Sequence, residues 1–199
     1  MSTAATPTRY TPEDLLTMPD GDRYELVNGQ LVEHNTSLLA SYIAWTIQWL
    51  LHAFCRENQP GWVFPEGATY QCFADDPGKV RKANVSFIPL ERLTAEQASA
   101  KGHLRLAPDL AVEVVSPNDL YYEVDAKAEE WLSAGVQLVW VVNPRGRTVT
   151  VYRADGTITM LLEDDELTGE NFVPGFHCQV RDLFRLPTET TPTAYYPGK

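Results

Sequence analysis

Apolar residues recur at three- and four-residue spacing through residues 37–57, with Leu39, Ile43, Ile47, Leu50 and Phe54 in register, which predicts a long helix. Trp45 and Trp49 lie elsewhere on its surface, so much of its circumference should be covered. Further along, the apolar segments shorten to strand length. Leu110-Ala111-Val112-Glu113-Val114-Val115 is the most apolar strand in the chain and should lie at the centre of a sheet. Residues 138–142 read as a second buried strand and residues 84–88 as a shorter one. Residues 62–64 and 69–73 read as strand segments, broken by Pro65 and Gly67. Residues 24–27 and 30–33 flank Asn28-Gly29, the pair a type I′ hairpin turn favours because both central positions need positive φ. Residues 147–153 and 157–162 form another hairpin over Ala154-Asp155-Gly156.

Helix signals complete the order. Thr11-Pro12-Glu13-Asp14 is a helix start, with Thr11 as N-cap and Pro12 at the first position, and Met18-Pro19-Asp20-Gly21 stops it. Residues 91–101 are weakly helical and polar. Pro117-Asn118-Asp119 opens a helix over residues 119–134, stopped by Gly135. A helix between the strands at 110–115 and 138–142 implies a parallel pair joined by a crossover. The fold class is α/β: one mixed β-sheet flanked by helices, in a single domain over residues 11–186, between a polar tail (1–10) and a Thr/Pro-rich tail (187–199) with a last short strand or turn before it.

Composition narrows the function classes. The 199 residues suit one domain with a sizeable core. Three scattered cysteines and four dispersed histidines, without CxxC or HExxH spacing, argue against a disulfide framework or a zinc site, and favour surface or capping roles for the histidines. A net charge of −11 argues against nonspecific coating of nucleic acid, though not against a local basic patch such as Lys79, Arg81 and Lys82. No apolar run approaches bilayer length, and no basic region followed by an apolar stretch opens the chain, so a cytoplasmic location without membrane association is the default.

The candidate chemistry sits on the central strand. Alternation puts Asp109, Ala111, Glu113 and Val115 on one face, and an ionised Glu113 in mid-sheet needs a cation, a metal or a proton. Leu120, Val124, Lys127, Trp131 and Ala134 form one stripe of the next helix, which turns Lys127 inward onto that strand. The pair is either a structural ion bridge or a site in which Glu113 holds a divalent cation and Lys127 stabilises charge on a phosphate. Further oxygen candidates are Asn84, Asp109, Asp119, Glu123, Asp125 and Glu25. Asp109 lies roughly 13 Å from Glu113 along the strand, which suits a strand-end role better than a shared ion. Glu123 and Asp125 are off the Lys127 stripe and read as solvated charges. Glu25 points either to a site or to solvent.

Several stretches together carry a family resemblance: residues 23–33, Arg81-Lys82-Ala83-Asn84 with the strand that follows, Ala107-Pro108-Asp109 through Ser116-Pro117, Lys127, Ala134-Gly135-Val136 through Asn143-Pro144, residues 149–153 and Pro174-Gly175-Phe176. In this order they resemble the Uma2 family of restriction-endonuclease-like proteins, with the PD-(D/E)XK nuclease fold. The resemblance covers roughly residues 11–186. It implies a Mg²⁺- or Mn²⁺-dependent DNA endonuclease that hydrolyses phosphodiesters through an activated water. By resemblance, Glu113 is the metal-binding acid, Lys127 the pattern's lysine displaced onto the helix (Val115 stands at the parent position), and Glu25 the hairpin acid. Lys79, Arg81 and Lys82 would contact phosphates, and analogy with nuclease domains suggests a homodimer. The chain departs from the pattern at one place: its Pro-Asp reads Ala83-Asn84, which replaces a charged metal ligand by a neutral amide. The readings left open are an endonuclease impaired at Asn84, an inactive nuclease-fold protein that binds DNA or a partner protein, and a structural or dimerising domain.

Overall fold

A computed structural model describes residues 8–33, 36–117 and 119–187. Readings that fall on the outer parts of the two tails, on His34 and on Asn118 lie outside the described residues. The chain enters through α1 (Pro12–Thr17), where Thr11 and Asp14 form a reciprocal capping box and Pro12 takes the first turn. Tyr10, at the end of the expected tail, is already docked, its N–H donating to the Gly29 carbonyl at 2.9 Å. The hairpin of β1 (Tyr24–Val27) and β2 (Gln30–Glu33) turns on Asn28 and Gly29 with φ of 52° and 74°, as the Asn-Gly pair requires. This hairpin stands apart from the main sheet. It is tied to the rest by mutual backbone hydrogen bonds between Leu26 and Val80 at 2.8 Å and by packing of Leu15, Leu26 and Val80.

Helix α2 (Leu38–Asn58) follows, capped by Ser37 and ended by Gln59 in the left-handed region. Its buried stripe is Ala40, Ile43, Ala44, Ile47, Leu51 and Cys55, one residue out of step with part of the expected apolar set. Leu39 is exposed, and Trp45 and Trp49 are 58% and 42% exposed, so the described residues do not provide the expected cover over the tryptophan side. By length and composition α2 is long and apolar enough to cross a bilayer, against the expectation that no apolar run approaches that length. Here it serves as the core helix of one sheet face.

The main sheet comprises β3 (Gly61–Pro65), β4 (Val85–Pro89), β5 (Leu110–Val114), β6 (Leu138–Asn143), β7 (Thr148–Arg153) and β8 (Ile158–Leu161), in that spatial order. Short α3 (Ala95–Ala98) is all that forms of the weakly helical stretch, and α4 (Tyr121–Ser133) is the crossover. As the crossover demands, β5 and β6 are parallel; every other pair is antiparallel. The segment at 69–73 is not a strand. Tyr70 makes isolated bridges to Arg81 and Leu104, and its hydroxyl bonds Ser86 at 2.5 Å. Finally, β9 (Glu166–Thr168), β10 (His177–Gln179) and α5 (Val180–Leu183) close the α2 side with Leu167, Phe176, Val180 and Leu183. The sheet is therefore covered on both faces, by α2 on one and α4 on the other.

Candidate functional site

Strand β5 and helix α4 bring the central acid and the lysine together. Leu110, Val112 and Val114 face α2, while Ala111 and Glu113 face α4. Glu113 accepts the Trp131 indole N–H at 2.7 Å on Oε1 and meets Lys127 Nζ at 3.1 Å on Oε2. Lys127 and Trp131 are four residues apart, so one face of α4 presents both donors to one carboxylate. Lys127 Nζ also reaches Glu25 Oε1 at 3.2 Å and the Lys82 backbone carbonyl at 3.1 Å. Its three protons thus have three oxygen acceptors. Burial works against the ammonium, but the carboxylates of Glu113 and Glu25 together outweigh it and raise the Lys127 pKa above the ordinary lysine value. Burial also raises the Glu113 pKa. The Lys127 charge opposes that rise, the Glu25 charge adds to it, and the Trp131 hydrogen bond holds it back.

Glu25 resolves towards the site: it is 3% exposed on β1. Besides Lys127, its Oε1 accepts the Lys82 backbone N–H at 2.7 Å and its Oε2 the Arg81 Nη1 at 2.9 Å. Arg81 continues to Glu130 on α4, with Nη2 at 2.7 Å and Nε at 2.9 Å. Desolvation lowers the Arg81 pKa, yet Glu25 and Glu130 leave it raised.

The basic run expected to contact phosphates is not a surface patch. Lys79 and Lys82 are buried; Lys79 pairs with Glu130 and Asp75 at 3.4 Å each and sits over the Phe73 ring, while Lys82 Nζ donates to the Asp22 carbonyl. The Lys82 pKa is lowered by burial in spite of nearby Glu25. The physical reason is the bridge between Val80 and Leu26, which pins this segment against the hairpin and turns its side chains inward. Of the three, only Arg81 lines the cavity.

Asn84 lies at the foot of β4, where its side chain ties two strands. Its Oδ1 accepts the Val114 N–H at 2.7 Å, and its Nδ2 faces Glu66 Oε2 at 3.4 Å. The orientation follows from chemistry: the Val114 N–H is a donor and requires an oxygen, so the NH₂ must point the other way.

These groups floor a cavity of about 310 Å³. Glu25, Glu113, Arg81, Lys127 and Asn84 line it, with Glu33, Asp119 and Glu123 also in the wall. Asp119 is fixed through the Ser116 N–H at 2.7 Å. The remaining oxygen candidates lie elsewhere. Asp109 pairs with Arg92 at the opposite end of β5, in keeping with a strand-end role, and Asp125 accepts from the Tyr152 hydroxyl. Sequence reasoning missed Glu66, Ser116 and the partnership of Arg81 with Glu25. It placed Trp131 on the Lys127 stripe without reading it as the donor to Glu113, although the four-residue spacing carried that signal.

A divalent cation fits this donor set poorly. The Asn84 oxygen is spent on the backbone, and the floor carboxylates are already matched to Lys127 and Arg81. Among the described residues, no group of three or more His, Cys, Asp or Glu side chains is placed to hold a metal.

Residues 12–181 match the model of the Uma2 family, whose description is "Putative restriction endonuclease". The chain belongs to the Uma2 family. Its fold is also that of a solved structure, the "Crystal structure of a putative nuclease belonging to DUF820 from Anabaena variabilis ATCC 29413", with a TM-score of 0.74 and 21% identity over 87% of this chain and 97% of that one. At that identity the likeness shows the fold alone, and the mixed α/β architecture expected from the Uma2 motifs is the one observed. No curated protein matches.

Proposed function

We propose that this Uma2 chain is a DNA-directed nuclease in which metal-dependent endonuclease chemistry is impaired by Asn84. Family membership and the acid–lysine floor of the cavity support the nuclease part. One observation carries the impairment: the Asn84 oxygen is held by the Val114 N–H and its NH₂ is turned to Glu66, so position 84 offers a metal no anionic oxygen. Mg²⁺ or Mn²⁺ is the cofactor the resemblance implies, and no hydrolytic step follows through it from the native donor set. What the native residues can do is electrostatic. Lys127 and Arg81 supply positive charge at the floor beside a phosphoryl oxygen, Glu113, itself held by Trp131, fixes Lys127, and Glu25 fixes Lys127 and Arg81 together.

An aspartate at position 84 could bond the Val114 N–H with one oxygen and would bring an anionic oxygen to the place of Nδ2, 3.4 Å from Glu66 Oε2, where a cation would then be needed between the two carboxylates. Nicking of supercoiled plasmid in Mg²⁺ or Mn²⁺ tests the reading. The native chain is expected at background, Asn84→Asp to cut, and Asn84→Asp combined with Glu113→Gln to return to background. Two copies acting together would yield linear as well as nicked product. A native chain that cuts as fast as Asn84→Asp contradicts the proposal. The same placement of Asn84 also favours a second reading, a non-cleaving binder of DNA or a partner protein. An inert Asn84→Asp with salt-dependent DNA binding by the native chain would decide for that reading.

A further inference from the structure

We infer that the Lys127 ammonium is the resident cation of this cavity and that it excludes divalent ions from a latent three-oxygen seat. Its three acceptors are two carboxylates, Glu113 and Glu25, and one backbone carbonyl, that of Lys82, at 3.1, 3.2 and 3.1 Å. Carboxylate and carbonyl oxygens are the donors that hard divalent cations take. The seat is held from outside as well as by the lysine. Trp131 fixes the other oxygen of Glu113 at 2.7 Å, Arg81 the other oxygen of Glu25 at 2.9 Å, and the Lys82 N–H holds Glu25 Oε1 at 2.7 Å. The carboxylates therefore keep their positions when the ammonium is taken away. Metal–oxygen bonds are about 1 Å shorter than these ammonium contacts, a closure within reach of glutamate side chains. The cavity above the seat gives a hydrated ion a way in.

Charge decides occupancy. Among the described residues Lys127 is the cation that meets Glu113, and it shares Glu25 with Arg81, whose charge is divided with Glu130. Removing the lysine takes away the ion pair of Glu113 and one ion pair of Glu25, and the lost positive charge falls inside a ready-made oxygen tripod. The inference rests on the nuclease reading only for the ancestry of the cavity, not for the binding itself.

The test is Tb³⁺ binding read by tryptophan-sensitised luminescence, because Trp131 touches one of the proposed ligands. Lys127→Met and Lys127→Gln, the second keeping an N–H donor for folding, are compared with the native chain. Both variants should bind Tb³⁺ at least about tenfold more tightly than the native chain, release it to Mn²⁺ or Ca²⁺, and lose the gain when Glu113→Gln is added. Melting temperatures should rise with millimolar Ca²⁺ in the variants and not in the native chain. Equal Tb³⁺ affinity in the native chain overturns the inference. So does the absence of binding in a variant that is folded by circular dichroism, or failure of both variants to fold even in millimolar Ca²⁺. Cleavage does not enter these readouts: metal-binding lysine variants beside an inert Asn84→Asp would sink the nuclease reading and leave this one standing.

Discussion

Two tryptophans compare the two faces of the sheet. Trp140 on β6 and Trp131 on α4 are both fully buried. Trp140 lies on the α2 side among Ile43, Ile47, Leu110 and Val112, stacked at a tilt on Phe176, and its indole N–H has no hydrogen-bond partner among the described residues. Trp131 lies on the α4 side, and its indole N–H holds Glu113. The first face is stabilised by volume and apolar area, so its members act through packing alone. On the second face each polar group depends on the next, and losing one leaves another unsatisfied in a dry environment.

The sharpest way to break the comparison is to truncate each tryptophan. Trp140→Ala should cost about 3–5 kcal/mol in urea unfolding, with the same penalty at acidic and neutral pH because no titratable group is involved. Trp131→Phe should cost about 1–3 kcal/mol, and its penalty should depend on pH. The lost hydrogen bond favours the ionised carboxylate, so its loss pushes the raised Glu113 pKa higher still. A carboxyl whose folded pKa is raised contributes stability that is present below its unfolded value and lost as pH rises through the folded one. The Trp131→Phe penalty should therefore grow from below the ordinary value of 4.5 towards neutrality. A pH-independent penalty would make Trp131 another Trp140.

Lys127 sharpens the contrast at the alkaline end. Its pKa is raised from 10.5, so its stabilisation is complete below that value and disappears as pH climbs through the folded pKa. Stability of the native chain should fall more steeply above 10.5 than that of Lys127→Met, measured by urea unfolding across that range. The smallest effect concerns the thiols. Burial lifts Cys55 and Cys72 to about 11 and Cys178 to about 12. At about pH 8 all three should react slowly with a disulfide reagent and quickly once denaturant exposes them.

The difference between the faces also explains what could be read in the sequence. Periodicity, cap signals and turn chemistry carried α1, α2 and α4, the Asn28-Gly29 hairpin, the strands read at 84–88, 110–115 and 138–142, and the parallel crossover, because each depends on neighbours along the chain, whereas α5 read only as a last short strand or turn. Glu113 and Lys127 were legible for the same reason, one from strand alternation and the other from helical spacing. The fate of Lys79, Arg81 and Lys82 was not, because it depends on Glu25 and Glu130, which meet them only in the folded chain. The register of α2 slipped for a related reason: Leu39 and Trp45 are as apolar as the buried stripe, and only the sheet decides which side is covered. The substitution at position 84 was plain in the sequence. The direction its amide faces was not, since the Val114 N–H that sets it lies on another strand.

The account rests on Asn84, and plasmid nicking by the native chain beside Asn84→Asp tests it most directly. With Mg²⁺ or Mn²⁺ present, cleavage by Asn84→Asp alone, abolished by adding Glu113→Gln, is the predicted result. Robust cleavage by the native chain, unchanged by Asn84→Asp, would contradict it.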